Sequence, residues 1–198
     1  VGNPFNIKLV RNDMQYLESV LDSGGLIESS VYKIDRPTDE NGTLTFYFAE
    51  GMITDIEITG NFRTKDYVIL REIESRPGET LNLEKIKLDI RKIQNLNYFE
   101  SVEPDIIPGD TANSYTLGYN LTEKETQGSL AFGGGYAPRA GFNMFSDLYW
   151  DNVLGSGRMV MLKGNFGIAN EEGDNKNSTY QFRYTDPWAF GNRKSLSL

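Results

Sequence analysis

From Gln127 onward the chain runs with a period of two. Four segments of strand length, Gly128–Ala137, Gly141–Asp151, Arg158–Ile168 and Asn177–Asp186, alternate apolar residues with small or polar ones. In the first, Leu130, Phe132 and Tyr136 fall on one side, and Ser129, Ala131, Gly133 and Gly135 on the other. The second sets Phe142, Met144, Leu148 and Trp150 against Asn143, Asp147 and Asp151. The third sets Val160, Leu162, Phe166 and Ile168 against Lys163, Asn165 and Gly167, and the fourth Tyr180, Phe182 and Tyr184 against Thr179, Gln181 and Arg183. Side chains alternate across a strand, so each segment predicts one greasy face and one wet face. A length of about ten residues suits a tilted transmembrane strand, and equally a β-sandwich strand with its greasy face turned inward. The pattern alone leaves both open.

Charge divides at the same boundary. Of the net charge of −8, residues 1–125 carry −9, with 22 acidic and 13 basic residues, while the last 73 residues carry +1 and hold both tryptophans, Trp150 and Trp188. An acidic front half argues against nucleic acid as a partner. Aromatics near strand ends fit an interfacial girdle or a buried core. Cysteine and histidine are absent, which removes disulfides, thiolate metal sites, Ser-His-Asp and Cys-His catalysis, and the commonest metal ligand. No apolar run is long enough for a transmembrane helix. Asp147 and Asp151 share the wet side, but four residues of strand put them about 13 Å apart, too far for a glycosidase pair. Asp55 and Glu57 are closer, yet read as a solvated strand face. Gly133-Gly134-Gly135 lies inside a strand and opens no helix, so it is not a phosphate loop. Three N-x-S/T matches, at Asn41, Asn120 and Asn177, read as coincidence. The expectation is a chain with no catalytic residue, no cofactor and no metal.

The front half repeats itself. Gly2-Asn3-Pro4-Phe5-Asn6-Ile7 aligns with Gly78-Glu79-Thr80-Leu81-Asn82-Leu83, Leu26-Ile27-Glu28-Ser29 with Tyr98-Phe99-Glu100-Ser101, and Thr43-Leu44 with Thr116-Leu117. The second copy reads as strand Met52–Thr59, a helix capped by Thr64 and running to about Glu74 with Ile69, Leu70 and Ile73 inward, and a helix capped by Asn82 with Leu83, Ile86, Ile90 and Ile93 inward. A hairpin of Ser101–Ile107 and Ser114–Glu123 follows. The order is β-α-α-β-β. The first copy lacks the opening strand and helix, so the chain reads as an excerpt from something longer.

This order, with Tyr98-Phe99-Glu100-Ser101-Val102 closing the second helix, resembles the POTRA domain, repeated in tandem on the periplasmic side of the BamA family of outer-membrane proteins. Gly128-Ser129-Leu130-Ala131-Phe132-Gly133-Gly134-Gly135-Tyr136 is similar to that family's first barrel strand, Asp151–Gly157 to its second turn, and Thr185–Gly191 to the turn after its fourth strand. The resemblance implies α+β POTRA domains followed by antiparallel transmembrane β-barrel strands, an incomplete barrel. Residues 1–50 would end one POTRA domain, 51–126 form a whole one, and 127–198 supply the first four to five barrel strands. It implies residence in the bacterial outer membrane with POTRA domains in the periplasm. Pro138–Ala140 and Asn170–Lys176 would then face outward, and Asn152–Gly157 and Pro187–Asn192 inward.

The same resemblance implies partners: unfolded outer-membrane protein clients, outer-membrane lipid, and room for periplasmic or lipoprotein accessory subunits. Gly128–Tyr136 would be a lateral-gate edge onto which a client adds a strand. The competing reading is that its glycines only permit curvature or close lumen packing. Phe142, Met144, Leu148, Trp150, Val160, Leu162, Phe166, Tyr180, Phe182 and Tyr184 would face lipid. Ser101, Val102, Glu103, Asp105, Ile106 and Ile107 would form an outer POTRA strand open to β-augmentation, with Pro104 and the two acids as features that discourage it. The function implied is insertion of outer-membrane proteins. A polypeptide exporter of the same superfamily and a structural or adhesive β-rich module are the alternatives.

Overall fold

The computed structural model describes residues 6–35, 43–137, 141–168, 178–191 and 196–197. The Gly2–Phe5 repeat segment, the Pro138–Ala140 turn and the Asn170–Lys176 loop lie outside the described residues. The elements are α1 (Ile7–Ser23), β1 (Ser30–Asp35), β2 (Thr45–Ala49), β3 (Met52–Thr59), α2 (Asp66–Leu70), α3 (Leu83–Gln94), β4 (Phe99–Pro108), β5 (Ser114–Glu123), β6 (Gly128–Ala137), β7 (Gly141–Trp150), β8 (Met159–Ile168), β9 (Ser178–Asp186) and β10 (Leu196–Ser197). They form α+β structure dominated by strands, in two compact units. One comprises residues 1–59, 72–93 and 102–121, the other 60–71, 94–101 and 122–198.

In the first unit, Asn6 caps α1 by accepting the Lys8 amide at 2.9 Å, and β1 pairs antiparallel with β2. β3 runs parallel to β5, the central strand of a three-stranded sheet ordered β3-β5-β4. A parallel pair needs a crossover, and the helical segment between the two strands supplies it. Leu117, Tyr119 and Leu121 alternate along β5 and are buried, with Ile53, Ile73, Leu81, Ile86 and Ile93. The two copies of the repeat are joined by backbone. Leu83 donates its amide to the Gly25 carbonyl at 2.8 Å.

Asn82 caps α3 as expected, accepting the amides of Glu84 and Lys85 at 2.9 and 3.2 Å. The first helix departs from expectation. It ends at Leu70, its N-cap is Lys65 with no side-chain bond, and Val68 and Ile69 are buried while Leu70 is partly exposed. The chain unwinds because Asp89, fully buried on α3, offers a better partner. Its carboxylate accepts the Glu74 amide (2.5 Å), the Ser75 amide (3.1 Å) and the Tyr119 hydroxyl (3.0 Å). A buried carboxylate persists where several donors satisfy it.

In the second unit, β6 to β10 form an antiparallel meander in chain order, open among the described residues. The strand ends fall within a residue of the alternating segments wherever both lie in the described residues. No described helix is long and apolar enough to cross a membrane.

Replacing Asp89 by Ala leaves two amides and a phenol without an acceptor, and is expected to lower unfolding stability by about 3 kcal/mol, read by urea denaturation. The Tyr119 phenol is held well above its ordinary value by burial and then by the adjacent Asp89 charge. The folded state therefore keeps a proton that the unfolded state loses. Stability is undiminished below about pH 10 and declines as pH rises further, and Tyr119→Phe should flatten that alkaline limb.

Candidate functional site

The strand register sorts the side chains of the meander into two faces. On one, Leu130 stands opposite Leu148, Leu148 opposite Leu162, and Leu162 opposite Phe182. Beside that row lies Phe132, Ser146, Gly164 and Tyr180, then Gly134, Met144 and Phe166, then Tyr136 and Phe142. Trp150, Val160 and Tyr184 form the row nearest the turn between β7 and β8. The ten residues expected to face lipid thus share one face with Leu130, Phe132 and Tyr136. No charge appears there until Arg158 and Asp186, which pair at 2.9 Å where the strands end. The face stays bare: Phe132 is 79% exposed, Tyr180 71% and Leu130 65%. Burying a side chain of this size away from water is worth about 1.5–3 kcal/mol, so a bare face of this extent marks a contact surface. The opposite face carries Asn143, Asn165, Gln181 and Arg183, with Asp147 directly across from Lys163 at 3.8 Å.

β6 has a neighbour on one side only among the described residues, so Gly128–Tyr136 is a strand edge. On its polar side Ser129, Ala131, Gly133 and Gly135 present almost no side chain. The gap is filled from β7: the Phe145 ring lies over Gly133, where a Cβ would collide with it. A Cβ on Gly135 would meet nothing within 4 Å. β4 is an edge strand on the separate three-stranded sheet. Of its candidate residues, Val102 is buried, Glu103, Asp105 and Ile107 are exposed, Ile106 and Ser101 are half-buried, and Ser101 bonds Thr122 at 3.0 Å.

Beneath β6 lies a joint that the sequence reading did not find. Asn152 follows β7 in the left-handed conformation (φ 54°) and is 2% exposed. Its amide donates to Thr64 Oγ1 (2.8 Å) and Gln127 Oε1 (3.1 Å), and its Oδ1 accepts the Gly157 amide (2.8 Å). Thr64, expected to cap a helix, is spent here instead. The Gly155 carbonyl accepts the Lys65 amide at 3.0 Å, and a Cβ on Gly155 would collide with the Arg63 carbonyl. Glu123 accepts the Arg63 and Thr64 amides at 2.9 and 2.7 Å. Arg71 lies between the rings of Tyr67 (5.6 Å) and Trp188 (5.4 Å). The sequence signal was the spacing Asn152, Gly155, Gly157, a turn with repeated positive φ. No group of three or more potential metal ligands occurs among the described residues.

Residues 52–124 match the POTRA family, described as Surface antigen variable number repeat. The chain is 29% identical over 189 residues to the outer membrane protein assembly factor BamA of Neisseria meningitidis, covering 91% of this chain and 22% of that protein. It is similar in fold to the crystal structure of BamA from Haemophilus ducreyi lacking POTRA domains 1–3, with TM-score 0.66, 21% identity, and coverage of 100% of this chain and 37% of the other. A likeness of fold extends to CdiB from Acinetobacter baumannii, with TM-score 0.58, 16% identity, and coverage of 93% and 34%. Residues 52–124 thus match the POTRA family, and nearly the whole chain is similar to BamA proteins of the BamA/Omp85 superfamily. It spans about a fifth of the length of the BamA relative it matches.

Asn152→Ala removes one acceptor and two donors from a buried node and is expected to cost about 2 kcal/mol. Gly155→Ala should cost more, through the collision with Arg63 and the strain of a side chain at positive φ. Hydrogen exchange at the Lys65 and Gly157 amides, protected in the parent and fast in both variants, checks the joint directly.

Proposed function

We propose that the chain is the periplasm-to-membrane junction of an outer-membrane protein assembly factor. Residues 1–50 end one POTRA domain, 51–126 form the next, and 127–198 supply the first four to five strands of a transmembrane barrel. The protein resides in the bacterial outer membrane with its POTRA domains in the periplasm. Its substrates are unfolded outer-membrane protein clients, and lipid bathes the apolar face of β6 to β9.

One observation carries the reading: an uncharged face running unbroken across four strands ends at an edge strand whose polar side is nearly bare. In hydrocarbon every unpaired backbone N–H or C=O costs several kcal/mol, so a strand entering lipid needs a partner strand at once. β6 offers one by β-augmentation, with few side chains to obstruct an approaching backbone. The work is templating, with no bond chemistry and no nucleotide. β4 is a second edge, available to an extended client or an accessory subunit. An exporter of one polypeptide is the second reading, since the likeness of fold spans both BamA and CdiB. It would show a conducting lumen where insertion shows a labile seam.

Cysteines placed in turn at Ser129, Leu130, Ala131 and Phe132 of the full-length protein, each paired with a client carrying cysteines on its terminal strand, test this. Crosslinks in a period of two, in a fixed register, are expected during assembly. A β6 that captures no client at any position overturns the gate.

A further inference from the structure

The foot of β6 holds an open groove of roughly 440 Å³, walled by Leu130, Leu148 and Trp150 from the apolar face and by Gly128 and Gln127. Among the described residues lining it, Arg63 carries the only charge. Its guanidinium is held by the carbonyls of Lys124 (3.3 Å) and Glu125 (2.7 Å), both through Nη1, and it forms no ion pair among the described residues. The nearby Glu123 carboxylate is already engaged by two backbone amides. Phe62, the residue before Arg63, is 94% exposed on this pinned segment. The groove's one cation therefore stands where the apolar face ends.

We propose that this groove binds one anionic phospholipid, its phosphate against Arg63 and an acyl chain along Leu130, Leu148 and Trp150. The inference rests on the reading of β6 to β9 as membrane strands. An occupant has to be amphipathic, since the walls are apolar and the rim cationic. The groove is continuous with the face that meets hydrocarbon, so an acyl chain reaches it without leaving lipid. A guanidinium fork matches phosphate oxygens, and Trp150 sits at the level where tryptophan favours the membrane interface. Such a lipid would lie at the foot of the strand that receives clients, and an arriving strand would have to slide past it.

The test uses the full-length protein in phosphatidylcholine vesicles, with Trp150 emission isolated as the difference from a Trp150→Phe variant. Brominated phosphatidylglycerol is expected to quench Trp150 at about fivefold lower mole fraction than brominated phosphatidylcholine, the worth of one cation near an anionic surface. Arg63→Gln should abolish that preference and Arg63→Lys should keep most of it, which separates lost charge from a loosened junction. Equal quenching by both lipids, or a preference that survives Arg63→Gln, overturns the lipid site and leaves the membrane reading intact. No quenching in vesicles made wholly of brominated phosphatidylcholine overturns both.

Discussion

A β-strand satisfies its backbone only through neighbours, and β6 lacks one of its two among the described residues. The rest of the second unit is arranged around that shortage. β7 to β10 are each held in antiparallel register, with no slip recorded from Leu130 through Leu148 and Leu162 to Phe182. A one-residue slip would turn every apolar side chain to the wet face, so the apolar row itself enforces register on the inner strands. The edge strand is specified more weakly. Gly133, Gly134 and Gly135 contribute little to holding it, and the Phe145 ring over Gly133 is a contact supplied from the neighbour. An edge with few side chains of its own accepts many different partner sequences, because what it offers is backbone.

An adaptable edge is useful only if its foot is fixed. The joint around Asn152 provides that, tying the turn after β7 to Thr64 and Gln127 through one fully satisfied side chain. Glu123, at the end of β5, binds the amides of residues 63 and 64 from the other side, so the segment after β3 is gripped twice. This explains why residues 60–71 group with the meander and not with the remainder of the POTRA sheet. In energetic terms the node is specific because Asn152 uses both amide hydrogens and its carbonyl oxygen. Losing any member would leave a buried donor or acceptor unpaired.

Local patterns in the sequence carried most of the fold. Alternation placed the four long strands of the meander, and Asn82 announced α3 because capping is a matter of neighbouring residues. Pairings across long separations stayed hidden. Thr64 looks like a helix cap in isolation, and only the fold reveals that its hydroxyl is taken by Asn152, 88 residues away. Asp89 falls among isoleucines at helical spacing, and nothing local says that its carboxylate draws Glu74 and Ser75 out of a helix. Phe145 did leave a trace: it is a large aromatic at a wet-face position, and the glycine opposite it is the reason.

The order of the rows on the apolar face bears on the two readings that alternation left open. Trp150 and Tyr184 lie in the row at one end and Tyr136 in the row at the other, and the rows between hold leucines, phenylalanines and Met144, with Ser146 and Tyr180 among them. Amphipathic rings at both margins and hydrocarbon in the middle suit a slab with two wet interfaces. A sandwich core has no such slab to match and would need a second sheet of similar area. Among the described residues the other sheets are a two-stranded ribbon and a three-stranded sheet, the latter with buried Leu117, Tyr119 and Leu121 already filling a core of its own. On the proposed reading, the face of β6 to β9 grades from ring to hydrocarbon to ring as the two interfaces and interior of a bilayer do.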